Sequence, residues 1–226
     1  MAAVLIAVAL YVVENYGGNG FVPSWDQIYQ WVGLEPSQSE TTAPLPEGET
    51  EVVFLDVGQG DAVLILQNGA ACRIDAGPKD ARQNLVQDLR SYGVSQLDLL
   101  VMTHPHADHV GGMQAVLQNF DVQTLLTPDL SETDVTGQAQ RTLQTAQECG
   151  VPVETACTGQ QYTIGTGTLT VLLPGVDADT AGSDDAINDM SLCLRFEAGK
   201  FTFLDTGDAE GNEEAALAEQ YPLRLR

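Results

Sequence analysis

A layered mixed α/β sandwich is the fold that the sequence predicts, on three observations. From residue 51 onward the chain consists of short apolar runs rich in Val, Ile and Leu, split by Gly-rich and Asn-Gly turns. Segments with apolar residues at helical spacing stand between and after groups of these runs, not after every one. At 226 residues, 43% hydrophobic and 18% charged, the chain is long enough to bury a core and too apolar for a disordered polymer. Grouped strands with helices between and after them make layers rather than a strict βαβ repeat.

The elements follow in order. Residues 51–57, 62–66 and 71–75 read as strands, with Gly58-Gln59-Gly60 and Asn68-Gly69 as the turns between them. Residues 79–92 read as a helix that stops near Gly93. A buried strand over 97–103 leads into a histidine-rich loop and a helix over 112–120. A strand over 122–126 and a helix over 133–149 come next. Residues 151–155, 161–164 and 168–173 read as strands, 191–197 and 200–205 as a hairpin across Ala198-Gly199, and 213–220 as a helix. No internal repeat is present.

Two zones precede this domain, which spans 51–226. Residues 1–16 form an apolar segment, with nothing polar from Ala2 to Val13. Twelve helical residues cover about 18 Å against a hydrocarbon core of roughly 30 Å. No Lys or Arg precedes the run, so the charged start of a signal peptide is missing. Three readings stand: a truncated membrane anchor, a signal-like segment, or a helix packed on the domain. The anchor is the leading one. Residues 17–50 read as spacer and linker, with one or two amphipathic helical turns over 25–34.

Nine Lys and Arg against 32 Asp and Glu give a formal charge of −23, with a pI near 4.1. That balance excludes a passive, charge-driven nucleic-acid binder, which needs a basic surface to release phosphate counterions. The four cysteines, Cys72, Cys149, Cys157 and Cys193, include no C-x-x-C pair, which excludes a zinc knuckle. Cys72 and Cys193 lie in apolar runs and read as buried thiols. Cys149 and Cys157 flank a short segment and could bridge in an oxidising compartment. No Gly-x-Ser-x-Gly elbow is present, so serine-hydrolase chemistry is not indicated.

The chemistry concentrates in six residues. All three histidines of the chain fall in His104-Pro105-His106-Ala107-Asp108-His109, at the end of an apolar strand. Alternate positions bring His104 and His106 toward one point, and the loop carries Asp108 and His109 toward a neighbouring one. Imidazole and carboxylate are ligands that zinc, manganese and iron accept. Gly111-Gly112 then lets the backbone turn sharply into the next helix.

His-x-His-x-Asp-His after an apolar strand resembles the metal-binding motif of the metallo-β-lactamase fold superfamily. Asp75 in Arg-Ile-Asp-Ala-Gly and Asp208 in Leu-Asp-Thr-Gly-Asp resemble two further motifs of that superfamily. Phe54-Leu55-Asp56-Val57-Gly58-Gln59-Gly60-Asp61-Ala62 and Asn188-Asp189-Met190-Ser191-Leu192 resemble, more narrowly, the extracytoplasmic hydrolase domain of ComEC-like competence proteins. The resemblance implies an αββα sandwich and two divalent metal ions, zinc first, with manganese or iron as alternatives. It implies that His104 and His106 hold the first ion, Asp108 and His109 the second, that Asp208 bridges both, and that Asp75 orients a ligand from behind. Asp108 and Asp208 are thereby the expected catalytic carboxylates, acting with a metal-held hydroxide on a phosphodiester, single-stranded DNA among the candidates. A small ester, thioester or lactam is the alternative substrate class, and a non-catalytic remnant with a partial metal site is the alternative of another kind. The resemblance also implies an extracytoplasmic domain held to a bacterial membrane by its N-terminus.

Two departures from the family pattern shape the expectations. Between the main motif and Asp208 there is no histidine; Asn188, Asp189 or Ser191 occupies the corresponding region, and Asp189 is the expected extra ligand of the first ion, with a capping role as its alternative. Relatives continue past the bridging Asp with a strand and a histidine, whereas this chain ends at Arg226, 18 residues after Asp208. The expectation is a sandwich missing its last strand and helix, with an exposed edge at 201–205 and a weakly held second ion. Asp61 or Asp189 completing the site is the alternative.

Overall fold

The computed structural model describes residues 45–130, 136–173 and 187–221. The chain divides into two units, Met1–Glu40 and Thr41–Arg226, and the second is the one described. The expected apolar segment, the spacer up to residue 44 and the start of the 133–149 helix lie outside the described residues. Among the described residues no helix is long and apolar enough to cross a membrane.

Among the described residues, twelve strands form the sheets. They are β1 (Thr50–Phe54), β2 (Val63–Gln67), β3 (Ala70–Ile74), β4 (Gln96–Leu97), β5 (Leu99–Val101), β6 (Asp121–Val122), β7 (Leu125–Thr127), β8 (Val153–Thr155), β9 (Gln161–Ile164), β10 (Gly167–Leu173), β11 (Cys193–Ala198) and β12 (Phe201–Asp205). The helices are α1 (Arg82–Ser91), α2 (Ala107–Val110), α3 (Met113–Asn119), α4 (Gly137–Cys149) and α5 (Gly211–Gln220). The first sheet runs β1-β2-β3-β5-β7-β8, the second β12-β11-β10-β9, and β4 pairs with β6. In the first sheet β1, β2 and β3 are antiparallel, while β3, β5, β7 and β8 are parallel. The expected layered sandwich is what forms.

Side-chain alternation separates its layers. Val63 and Ile65 of β2 with Cys72 and Ile74 of β3 face Leu169, Val171, Leu194 and Phe196 of the second sheet. Leu64 and Ala71 point the other way, onto Leu85 and Leu89 of α1 and Met113 and Val116 of α3. On the far face of the second sheet Leu172, Leu173 and Cys193 pack against Ala216 and Leu217 of α5. The order is helices, sheet, sheet, helix. The Asn68-Gly69 turn takes positive φ at both residues, 52° and 81°, as a two-residue hairpin requires.

Several elements differ from the sequence expectation. The strand over 97–103 is split at Asp98, whose carboxylate accepts the Ala71 N–H at 2.9 Å while its own N–H bonds to the Ala71 carbonyl at 2.8 Å. The strand over 122–126 is split likewise, because Gln123 N–H turns to the Leu97 carbonyl at 2.9 Å. The helix over 79–92 opens with a 3-10 turn over Lys79–Ala81 before α1. Part of the histidine-rich loop is the short helix α2. The Gly58–Gly60 segment is a longer loop between β1 and β2, closed by Leu55 N–H on the Ala62 carbonyl at 2.8 Å. Cys72 and Cys193 are buried as expected, while Cys149 and Cys157 are exposed and unbridged.

Candidate metal centre

The carboxyl ends of β3 and β5 converge on the site, the place where loops leaving parallel strands can meet. β3 delivers Asp75, whose φ of 50° lies in the left-handed region that residues with side chains seldom occupy. The surroundings hold it there. Its N–H bonds to the Val101 carbonyl at 2.9 Å. The buried carboxylate accepts the Thr103 N–H at 2.9 Å, the Thr103 hydroxyl at 2.5 Å and the His109 Nδ1–H at 2.7 Å.

β5 delivers Thr103 and His104, both buried. The Thr103 proton goes to Asp75, so the Thr103 oxygen accepts from His104 Nδ1 at 3.1 Å. Ser191 Oγ lies 3.3 Å from the same nitrogen. That tautomer leaves the His104 Nε2 lone pair free, and it faces His106 Nδ1 at 3.1 Å. Two nitrogens on one tetrahedral zinc, each about 2.0–2.1 Å from it, lie roughly 3.3 Å apart. The pair has the spacing of two ligands of one ion.

His109 sits on α2, and its Nδ1–H bond to Asp75 turns Nε2 toward the site. That atom is 3.3 Å from Asp208 Oδ2, which is 3.9 Å from His104 Nε2. One carboxylate oxygen thus lies between the Nε2 atoms of two imidazoles. Asp208 is fixed by its N–H on Ser191 Oγ at 3.1 Å. α2 reaches the site because Gly111 and Gly112 let it press on the loop after β3. A Cβ there would come within 2.2 Å of Lys79 N and of the Ala76 carbonyl oxygen, respectively.

Electrostatics divide the two buried histidines. Burial first, and then the His109 charge, push His104 down to about 3, so the ring is neutral, as a metal ligand must be. Burial pulls His109 the same way, but the Asp75 hydrogen bond and the charges of Asp75, Asp208 and Asp108 lift it to about 9. Burial also raises the Asp61 carboxyl, with His109 opposing and Asp75, Asp208 and Asp108 adding. Arg73, wholly buried two residues before Asp75, is lowered by burial to about 9 against the pull of Asp75.

His104, His106, His109 and Asp208 come together, and Asp75 supports them from behind. Asp108 stands in the first turn of α2, half-buried, and its charge acts on His104, His109 and Asp61. Asp189 goes elsewhere than expected: its Oδ1 accepts the Glu210 N–H at 3.2 Å, at the start of α5. Ser191 is the residue of that segment beside His104. Thr103 was not singled out from sequence; a hydroxyl next to a candidate ligand was the only signal. Among the described residues, two groups have ligand atoms within 4.8 Å of one another, Asp75–His104–His109 and Asp61–His109–Asp208. In the first, Asp75 already accepts the His109 proton, so it orients rather than ligates.

Residues 55–148 match the family model of the metallo-beta-lactamase superfamily. ComE operon protein 3 of Bacillus subtilis (strain 168) is 28% identical over 199 residues, which are 79% of this chain and 24% of that protein. Competence protein ComA of Neisseria gonorrhoeae is 41% identical over 73 residues, 32% of this chain and 11% of that protein. The chain therefore spans a quarter or less of these curated relatives. Among solved structures, a Cronobacter sakazakii metallo-beta-lactamase with a HARLDQ motif gives a TM-score of 0.48 at 16% identity, covering 68% of this chain and 57% of that one. CmlA, a diiron beta-hydroxylase from Streptomyces venezuelae, gives 0.49 at 16% identity, covering 87% of this chain and 38% of that one.

Proposed function

We propose that the chain, whose residues 55–148 match the family model of the metallo-beta-lactamase superfamily, is a metal-dependent hydrolase of phosphodiesters, single-stranded DNA among them. The observation that carries the reading is the geometry of His104, His106, His109 and Asp208. His104 Nε2 and His106 Nδ1 face each other at 3.1 Å, and one Asp208 carboxylate oxygen lies 3.9 Å from that His104 nitrogen and 3.3 Å from His109 Nε2. His104 and His106 would hold one divalent ion, His109 and Asp108 a second, with Asp208 touching both. Zinc fits this donor set, and manganese and iron accept it too. Bound there, such ions supply charge to offset phosphate repulsion and to acidify a water.

The chain's own groups prepare that chemistry. Asp75 takes the His109 proton and Thr103 accepts from His104, so both rings present Nε2 to the site without a search over tautomers. Ser191 holds the Asp208 backbone and stands beside His104, which ties the two halves of the site. Asp108, half-buried in the first turn of α2, would accept a proton from an attacking water. A chain of charge −23 repels a polyanion, so the phosphodiester reading requires cations at the site. The choice of substrate class rests on the resemblance of residues 54–62 and 188–192 to ComEC-like proteins. The apolar run from Ala2 to Val13 supports the companion proposal that the domain is tethered outside a bacterial cytoplasmic membrane.

The test pairs metal content with substrate class. Protein loaded with zinc or manganese should cleave bis-p-nitrophenyl phosphate or single-stranded DNA and leave nitrocefin and thioesters intact. His106→Ala should lose an ion by elemental analysis and lower the rate at least about 100-fold. Turnover of only nitrocefin or a thioester would replace the phosphodiester reading with the small-ester one. Full metal content in His106→Ala would sink the site.

A further inference from the structure

We propose that Asp61, on the loop between β1 and β2, is a ligand of the ion held by His109 and Asp208. The proposal rests on the metal reading of the site and adds a residue to it. Ligand atoms of Asp61, His109 and Asp208 lie within 4.8 Å of one another. Ligands of one tetrahedral ion lie roughly 3.3–3.6 Å apart, so a side-chain adjustment of about an ångström closes the set.

Two of the three donors are already aimed. His109 gives its Nδ1 proton to Asp75 at 2.7 Å and turns Nε2 to Asp208 Oδ2 at 3.3 Å. The third is carried in by the backbone. The Asp61 carbonyl accepts the Gly77 N–H at 2.8 Å, which ties the loop to the turn after β3. Gly60 lies on the Asp108 carbonyl so closely that a Cβ would come to 2.0 Å from its oxygen, and its φ of +114° suits glycine alone. The loop is thus seated on α2 just where Asp61 follows. The other carboxylate of the loop, Asp56, is spent on its own turn, accepting the Gly58 N–H at 3.2 Å.

Charge argues in the same direction. Asp61 shares its neighbourhood with Asp75, Asp108 and Asp208, and His109 is the group there that opposes their repulsion. A divalent cation between Asp61 and Asp208 would offset the repulsion among these carboxylates.

The experiment titrates the full 226-residue chain with Zn²⁺ or Mn²⁺ against a competing chelator and counts ions. Circular dichroism and thermal melts on the same samples establish folding. Wild type should take two ions. Asp61→Asn keeps the shape and removes the charge, and should weaken one ion at least about 10-fold while the other keeps its affinity. Asp61→His, which restores a donor, should recover part of that loss. His106→Ala should weaken the opposite ion, and the double variant both. Two ions at wild-type affinity in Asp61→Asn would overturn the assignment and leave the His104–His106 site standing. Equal weakening of both ions would also overturn it, as a general disturbance of the loop. Wild-type protein that takes up no ion would overturn the metal reading itself.

Discussion

Asp205 shows how much a single carboxyl near the site can govern. It ends β12, and burial first, with Asp75 and Asp61 adding their charge against the Gly207 N–H and His109, raises it to about 7. An ordinary Asp titrates at about 3.9. The folded metal-free protein therefore holds this proton more tightly than the unfolded chain does. The stability it gives is full below about pH 4 and drains away as the pH rises through about 7. His109, raised to about 9, adds a drain of the same sign at higher pH. Asp205→Asn removes the first drain, so thermal melts of metal-free protein should match wild type at pH 4 and exceed it by roughly 2–4 °C at pH 8. A constant difference across that range would refute the sign. His109 also predicts a proton released on metal binding below about pH 9, because the ring must give up its second proton to ligate. Calorimetry in buffers of different ionisation enthalpy would read that release as a slope, and a flat response would contradict it.

At the scale of elements, the loop between β1 and β2 is decided by which glycine does what. Gly58 has φ +78° and open space around its Cβ position, so Gly58→Ala costs only the left-handed backbone, about 1–2 kcal/mol. Gly60 has φ +114° and the Asp108 carbonyl in the way, so Gly60→Ala must also lift the loop off α2. That variant should lose about 2–4 kcal/mol by denaturant unfolding and weaken an ion, while Gly58→Ala keeps both ions. Equal metal affinity in the two variants would show that the loop does not support the site. A second loop is tied by one hydroxyl: Thr136 caps α4 by accepting the Ala139 N–H at 3.2 Å and donates to the Pro105 carbonyl at 2.8 Å. The helix start and the histidine loop are thereby one unit.

For the whole molecule, the four layers leave one flank apolar. β12 is an edge of the second sheet, and Phe201 and Leu204 on it are 41% and 42% exposed. Phe54, 70% exposed on β1, meets Phe203 edge to face at 5.9 Å between ring centroids. An edge strand with exposed apolar side chains pairs readily with other chains, and a lysine on it blocks that pairing. Leu204→Lys should raise the concentration at which light scattering detects association several-fold and leave metal content unchanged. No change in scattering would mean that the edge is not the adhesive surface.

The sequence by itself determined the strand and helix succession, the layered class and the histidine cluster. Each is local information: alternation along a strand, turn residues between runs, and four ligand-type residues within six positions. It also reached Asp75 and Asp208, because both follow apolar strands in motifs that a resemblance could identify. Tertiary structure decided what sequence spacing does not encode. Ser191 stands beside His104 across a separation of 87 residues, and Asp61 joins His109 and Asp208 through a loop seated by Gly60. Asp189, two positions before Ser191, is turned to the start of α5 instead. Which of these polar residues reaches the histidines is fixed by the register of β10, β11 and β12 and by the close approach of glycine backbones, and those relations exist only once the sheets have packed.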